Sequence, residues 1–246
     1  MRLNFCHTDC SDYRGDIPGG QRVTEIFINK LAVVGVVTLS LVAGTGMAAT
    51  VPVAYKETVN YIPVMPAQPV SVNPGQIEVL EFFWYGDPHC FTLEPYLESW
   101  DKNKPSNVLL MRIPAALSPQ WYLAARAYYT ALQLNVSDKA SAAIYAAIHI
   151  SHKSLATVAD YQSLFTSQLG IDARQFQNTW NSQAVNAQLS QAKVLAQRYG
   201  IVKVPAFTVN GKWLTGAGFH LSDAQTMGAV NWLVQRELAS LPSGSP

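Results

Sequence analysis

The chain has 246 residues, 49% of them hydrophobic and 13% charged, with a formal net charge of +1. That length accommodates one sizeable domain or two small ones. The near-neutral balance, with no basic cluster, argues against a nucleic-acid-binding surface, and no repeat of fixed period is present.

Residues 1–21 are polar and include Gly19-Gly20, Cys6 and Cys10. Two cysteines with His7 leave a tetrahedral metal site one ligand short. Leu31 to Ala43 is then uncharged and apolar, preceded by Arg22 and Lys30 and followed by the small residues Gly46-Met47-Ala48-Ala49. This is the three-part pattern of a cleaved secretory signal. An uncleaved membrane anchor is the second reading, but the run is short for a span of about 20 residues. Residues 1–49 are therefore expected to be an N-terminal extension and signal peptide, the true start lying near Val23. Cleavage leaves Cys90 as the sole cysteine, so the core alone must hold the fold.

Residues 50–76, rich in proline, read as an extended lead-in with an edge strand near Val59 to Val64. Ile77 to Tyr85 is a β-branched and aromatic run, too short for a typical helix and suited to a buried strand. Gly86 ends it. Asp87 is a favoured N-cap and Pro88 a favoured first helical residue, with Phe91, Leu93, Leu97 and Trp100 mostly on one face of the helix that follows. Free N–H groups at such a helix start suit a negative charge. Asn107 to Ile113 reads as a second buried strand, which makes a parallel βαβ unit with a right-handed crossover.

From about Ser118 to Tyr199 the apolar spacing is helical throughout. Asp172 with Gln175 reads as a capping box, Ser182 as the cap of a longer helix, and Gly200 as its C-terminal stop. Asn210-Gly211 between apolar runs predicts a hairpin. Ser222 with Gln225 caps a last helix, and residues 242–246 are expected to be disordered.

Glu81 and Arg112 are opposite charges on two adjacent apolar strands, and burial cost alone would pair them. His149, His152 and His220 have no metal-ligand spacing and read as ordinary residues; no metal site is expected.

The stretch Phe82-Phe83-Trp84-Tyr85-Gly86-Asp87-Pro88-His89-Cys90-Phe91, with Glu94-Pro95, resembles the active-site segment of the DsbA family of thiol:disulfide oxidoreductases. That family has cysteine where this chain has Asp87. The resemblance runs in order through the motif helix, the helices that follow, Val204-Pro205, the hairpin and the last helix. It implies an α/β thioredoxin fold with an inserted all-helical domain, divided as 77–117, 118–186 (the insertion) and 187–241. It implies that Val204-Pro205 is a cis-proline loop offering backbone to an extended peptide, with Trp84 and Phe91 beside it. Glu81 and Arg112 match the buried acid and base beneath the family's cysteines, and His89 the residue that stabilises their thiolate. Cys90 matches the shielded second cysteine.

A carboxylate cannot form a disulfide, so the two-cysteine cycle is closed to this chain as written. Asp87 keeps the negative charge of a thiolate, could pair with His89, and should raise the pKa of Cys90. Cys90 also reads simply as a small buried apolar residue. The resemblance implies a periplasmic location, unfolded or extended secreted polypeptides as partners, a membrane partner that generates disulfides, and no cofactor. Two rival readings stand beside it. One is a redox-inactive peptide-binding chaperone or adaptor; the other is a transferase like the kappa-class glutathione transferases, which carry serine where this chain has Asp87.

Overall fold

The computed structural model describes residues 54–241, so the expected extension, signal peptide and C-terminal tail lie outside the described residues. The sheet is built from β1 (Tyr61–Pro63), β2 (Ile77–Phe83), β3 (Val108–Pro114), β4 (Ala206–Val209) and β5 (Trp213–Gly216), in the spatial order β1-β5-β4-β2-β3. Every residue of β2 is buried, Glu78 and Glu81 included, as in a strand covered on both faces. It pairs in parallel with β3, Glu81 standing opposite Arg112, and antiparallel with β4, Phe82 standing opposite Ala206. β1 is shorter than the expected Val59–Val64, because Thr58 takes a left-handed φ of 64° and Thr58–Asn60 forms a turn.

Between β2 and β3 runs α1 (Pro88–Asn103), and the chain ends in α7 (Asp223–Ala239). These two cover one face of the sheet, where Leu93 and Leu97 of α1 join Ile77, Val79, Met227, Val230 and Leu233 in one apolar cluster. Between β3 and β4 lie α2 (Pro119–Gln133), α3 (Ser137–Tyr145), a π-helical turn (Ala146–Ile150), α4 (Val158–Leu169), α5 (Ala173–Trp180) and α6 (Gln183–Arg198). They share a second apolar cluster with Leu80, Phe82 and Phe83 of β2. The arrangement is a thioredoxin fold carrying a helical insertion.

The caps follow the sequence signals closely. Ser222 and Gln225 form a full capping box, and Ser182 accepts from Val185 N. Asp172 caps α5 by accepting from Arg174 N and Gln175 N, but the reciprocal Gln175 contact expected of a box is replaced by this double acceptance. The expected division between residues 186 and 187 falls inside α6, a continuous helix that offers no break there. Asn210 and Gly211 both have positive φ, 51° and 68°, as a tight hairpin requires. A side chain at Gly211 would meet the Gln68 carbonyl oxygen at 2.1 Å. The hairpin is tied to α7 by Asn210, Lys212 and Trp213, which donate to the Glu237 carboxylate at 2.7, 2.7 and 2.6 Å.

Candidate functional site

The site grows from the junction of β2 and α1. Asp87 has extended geometry (φ −85°, ψ 122°), and its Oδ1 accepts from Cys90 N at 2.9 Å. Its own N–H donates to the Trp84 carbonyl at 3.0 Å, which closes a tight turn over Gly86. Only glycine fits there, because a Cβ would lie 2.2 Å from the Trp84 ring. Pro88 occupies the first helical position, where its missing N–H costs nothing. Pro88 and His89 are exposed, Asp87 is half-buried and Cys90 is fully buried. Among the described residues the His89 ring makes no hydrogen bond or ion pair with Asp87. Burial pushes the Cys90 thiol well above its usual range, and the negative charges of Glu81 and Asp87 push in the same direction. Cys90 is therefore a neutral, covered thiol.

Beneath this rim lies a buried charge cluster. Arg112 Nε donates to Glu81 Oε2 at 2.5 Å, and its two terminal nitrogens bond both oxygens of Glu94, one of them at 3.1 Å. The guanidinium also lies 4.6 Å from the centre of the Phe83 ring. Glu81 is fully buried, and that desolvation raises its pKa to about 7; Arg112 opposes the rise and the Glu94 charge adds to it. One guanidinium thus serves two carboxylates. Sequence reasoning found the Glu81–Arg112 pair but gave Glu94 no part in it. The available signal was position: Glu94 follows Cys90 by one helical turn, on the α1 face turned toward the sheet.

The helical insertion is pinned to the same turn. Trp84 stacks on Trp121 of α2, with centroids 4.6 Å apart and planes at 12°. Phe91 stacks on His149 of the π-helical turn at 4.7 Å and 8°, and His149 Nε2 lies 2.7 Å from the Tyr85 carbonyl oxygen. A carbonyl only accepts, so Nε2 carries the proton. Tyr85 Oη in turn bonds Ser141 Oγ at 2.6 Å. His149, which read as ordinary, is thus a structural contact of the site. The π-helical turn that brings it there breaks the 3.6-residue period, so helical spacing did not reveal it.

The Val204–Pro205 peptide is cis. Because Ala206 pairs with Phe82, this loop stands beside the end of β2 from which the chain enters α1. The Pro205 carbonyl accepts from Ala217 N at 2.7 Å, whereas the N–H and C=O of Val204 have no backbone partner among the described residues. A shallow cavity of about 270 Å³ adjoins the loop, lined by Ile62, Ile201, Val202, Leu214 and Phe219. Trp84 and Phe91 are not among its lining residues; they face the insertion instead. Among the described residues no three His, Cys, Asp or Glu side chains converge as metal ligands.

Comparison with known proteins gives a consistent result. A family model described as "DSBA-like thioredoxin domain" matches residues 109–227. The thiol:disulfide interchange protein DsbA of Pseudomonas aeruginosa is 34% identical over 202 residues, which cover 82% of this chain and 94% of that protein. Its counterpart in Burkholderia cepacia is 33% identical over 198 residues, 80% and 93% of the two chains. The crystal structure of Pseudomonas aeruginosa DsbA superposes with a TM-score of 0.72, covering 77% of this chain and 97% of that one. A DsbA oxidoreductase from Xylella fastidiosa, 26% identical, superposes with a TM-score of 0.68 over 74% and 96%.

Proposed function

The chain belongs to the DsbA-like family of thiol:disulfide interchange proteins, and from that premise we propose that it is a member whose dithiol oxidase activity is lost or much reduced. Disulfide exchange needs an accessible thiolate to attack and a second thiol to resolve the mixed disulfide. At the helix start, where the family pattern has its attacking cysteine, this chain has Asp87. The observation that carries the reading is that Asp87 is committed to capping α1 while Cys90 is fully buried with a raised pKa. Neither group can open a disulfide in that setting. The proposed partners remain unfolded or extended secreted polypeptides, met in the periplasm after signal cleavage.

A second reading, a redox-inactive peptide-binding chaperone or adaptor on the same fold, draws on the loop. The unpaired Val204 backbone and the adjoining apolar cavity suit an extended segment. The binding surface then lies around Ile62, Val202 and Phe219 with Val204 and Pro205. The test compares the secreted protein with its Asp87→Cys variant in oxidation of a reduced peptide. The parent should be inactive. The variant should form an internal disulfide with Cys90 and oxidise the peptide, because the helix start would lower the new thiol below the free value of about 8.5. An active parent overturns the proposal. A variant that forms no internal disulfide shows that residues 87 and 90 do not form a redox pair.

A further inference from the structure

The sheet has two edges, and they are built differently. β1, at one edge, has three residues and ends in Pro63. That is the usual way of blunting an edge against stray pairing. β3, at the other edge, has seven residues and no proline before Pro114. Asn107 O accepts from Ile77 N, and Ala115 N donates to Phe83 O. The odd-numbered residues of β3 therefore turn their backbone groups toward β2. The N–H and C=O of Leu110 and Arg112 point away from the sheet, and neither residue has an outward backbone partner among the described residues.

Two cavities meet along this edge. One, of about 540 Å³, lies between α1 and α3, with Phe91, Leu97 and Tyr145 among its walls. The other, of about 520 Å³, lies on the opposite face of the sheet against α2 and α6, with Leu80, Tyr128 and Leu195 among its walls. Leu110 and Arg112 line both. The chemistry of the two differs. The α1 cavity carries four carboxylates (Glu94, Glu98, Asp101, Asp138) against two cations (Lys102, Arg112), an excess of two negative charges. The buried Tyr145 hydroxyl of its wall has no hydrogen-bond partner. The α6 cavity is mostly apolar and aromatic.

We propose that the β3 edge is a binding site for an extended polypeptide, which adds to the sheet as a sixth strand and sends alternate side chains into the two cavities. Leu110 and Arg112 supply the main-chain bonds. Successive side chains of a strand point to opposite faces, so one set enters the acidic α1 cavity and the other the apolar α6 cavity. The segment recognised therefore alternates lysine or arginine with large apolar residues. The site uses no residue of the Asp87–Cys90 turn and stands apart from the Val204–Pro205 loop, which lies on the far side of β2.

The test titrates the isotope-labelled protein with the capped hexapeptide Lys-Phe-Lys-Val-Lys-Phe and follows backbone amide shifts. Saturable shifts at Leu110 and Arg112 are expected. Methylating alternate peptide nitrogens, in the register that faces β3, should weaken binding about tenfold, the loss of one or two hydrogen bonds. Replacing lysine by glutamate in the peptide should weaken it at least as much. Leu110→Pro should abolish binding; if it unfolds the protein, the methylated peptide tests the same bonds on the unaltered chain. Shifts confined to Val202–Ala206, equal binding of the methylated or glutamate peptide, self-association through β3 in place of binding, or no saturation would each overturn the proposal.

Discussion

The rim of α1 and the floor beneath it hold carboxylates in opposite circumstances. Asp87 is half-buried at a helix start, where the Cys90 N–H bonds it and the aligned peptide dipoles favour its charge. Glu81, six residues earlier, has no exposure and depends on Arg112, which it shares with Glu94. The helix stabilises an anion at residue 87 with little outside help. One turn further in, Cys90 meets the environment of the floor: burial and two negative charges hold its thiol neutral. Three residues of helix thus separate a position built for an anion from one that rejects it, and this contrast explains why Asp87 fits the fold.

The strongest way to break the contrast is to remove the cation that Glu81 and Glu94 share. Arg112→Met leaves Glu81 buried and unpaired, together with the less deeply buried Glu94. Such losses run to about 3–5 kcal/mol, and the urea midpoint at pH 8 should fall accordingly. An unchanged midpoint would mean that Arg112 does not compensate Glu81. The cost should shrink at pH 5, where Glu81 takes up a proton and no longer needs a counter-charge.

That pairing was legible in the sequence because charges are misfits in these strands: Glu81, with Glu78, in Ile77–Phe83 and one base, Arg112, in Val108–Pro114. The strand register then sets Glu81 and Arg112 directly opposite. The α1 and α7 caps, the hairpin and the βαβ unit were legible for a similar reason, since each is written in local residues. The second carboxylate was not. Glu94 sits in an amphipathic helix whose glutamates otherwise look solvated, and only the tertiary placement of α1 over β3 brings it to Arg112. The packing contacts of Trp84 and Phe91 were hidden on the same ground. Their partners, Trp121 and His149, are 37 and 58 residues away, and a π-helical turn, invisible to a 3.6-residue period, sets the second of these contacts.

The next largest effect is the pH dependence of stability. Glu81 binds its proton more tightly when folded, with its pKa raised to about 7 from an ordinary value of 4.5. Its contribution to stability is therefore complete below about pH 4.5 and is lost as pH rises through 7. Glu78, also raised by burial, adds in the same direction, whereas Glu237, lowered because its three donors outweigh its burial, acts the opposite way at the acid end. The protein should be more stable at pH 5.5 than at pH 8, by about 2 kcal/mol from Glu81. Denaturation curves across that window measure the slope, and Glu81→Gln should remove most of it. A slope unchanged by that substitution would place the titration elsewhere.

The smallest effect belongs to the rim. Asp87→Ala removes the oxygen that accepts from Cys90 N and should cost about 1 kcal/mol. Asp87→Asn keeps a capping oxygen and loses only the charge, so its cost should be a few tenths of a kcal/mol and should shrink in salt. The pair separates the two things Asp87 supplies, a hydrogen-bond acceptor and an anion. It also tests the floor from above. Burial is the largest cause of the raised Cys90 pKa, and the Asp87 charge is a lesser one. Removing that charge should leave the thiol of native Asp87→Asn as slow to alkylate as that of the parent. Rapid alkylation in the variant alone would show that the rim carboxylate, and not burial, keeps Cys90 silent.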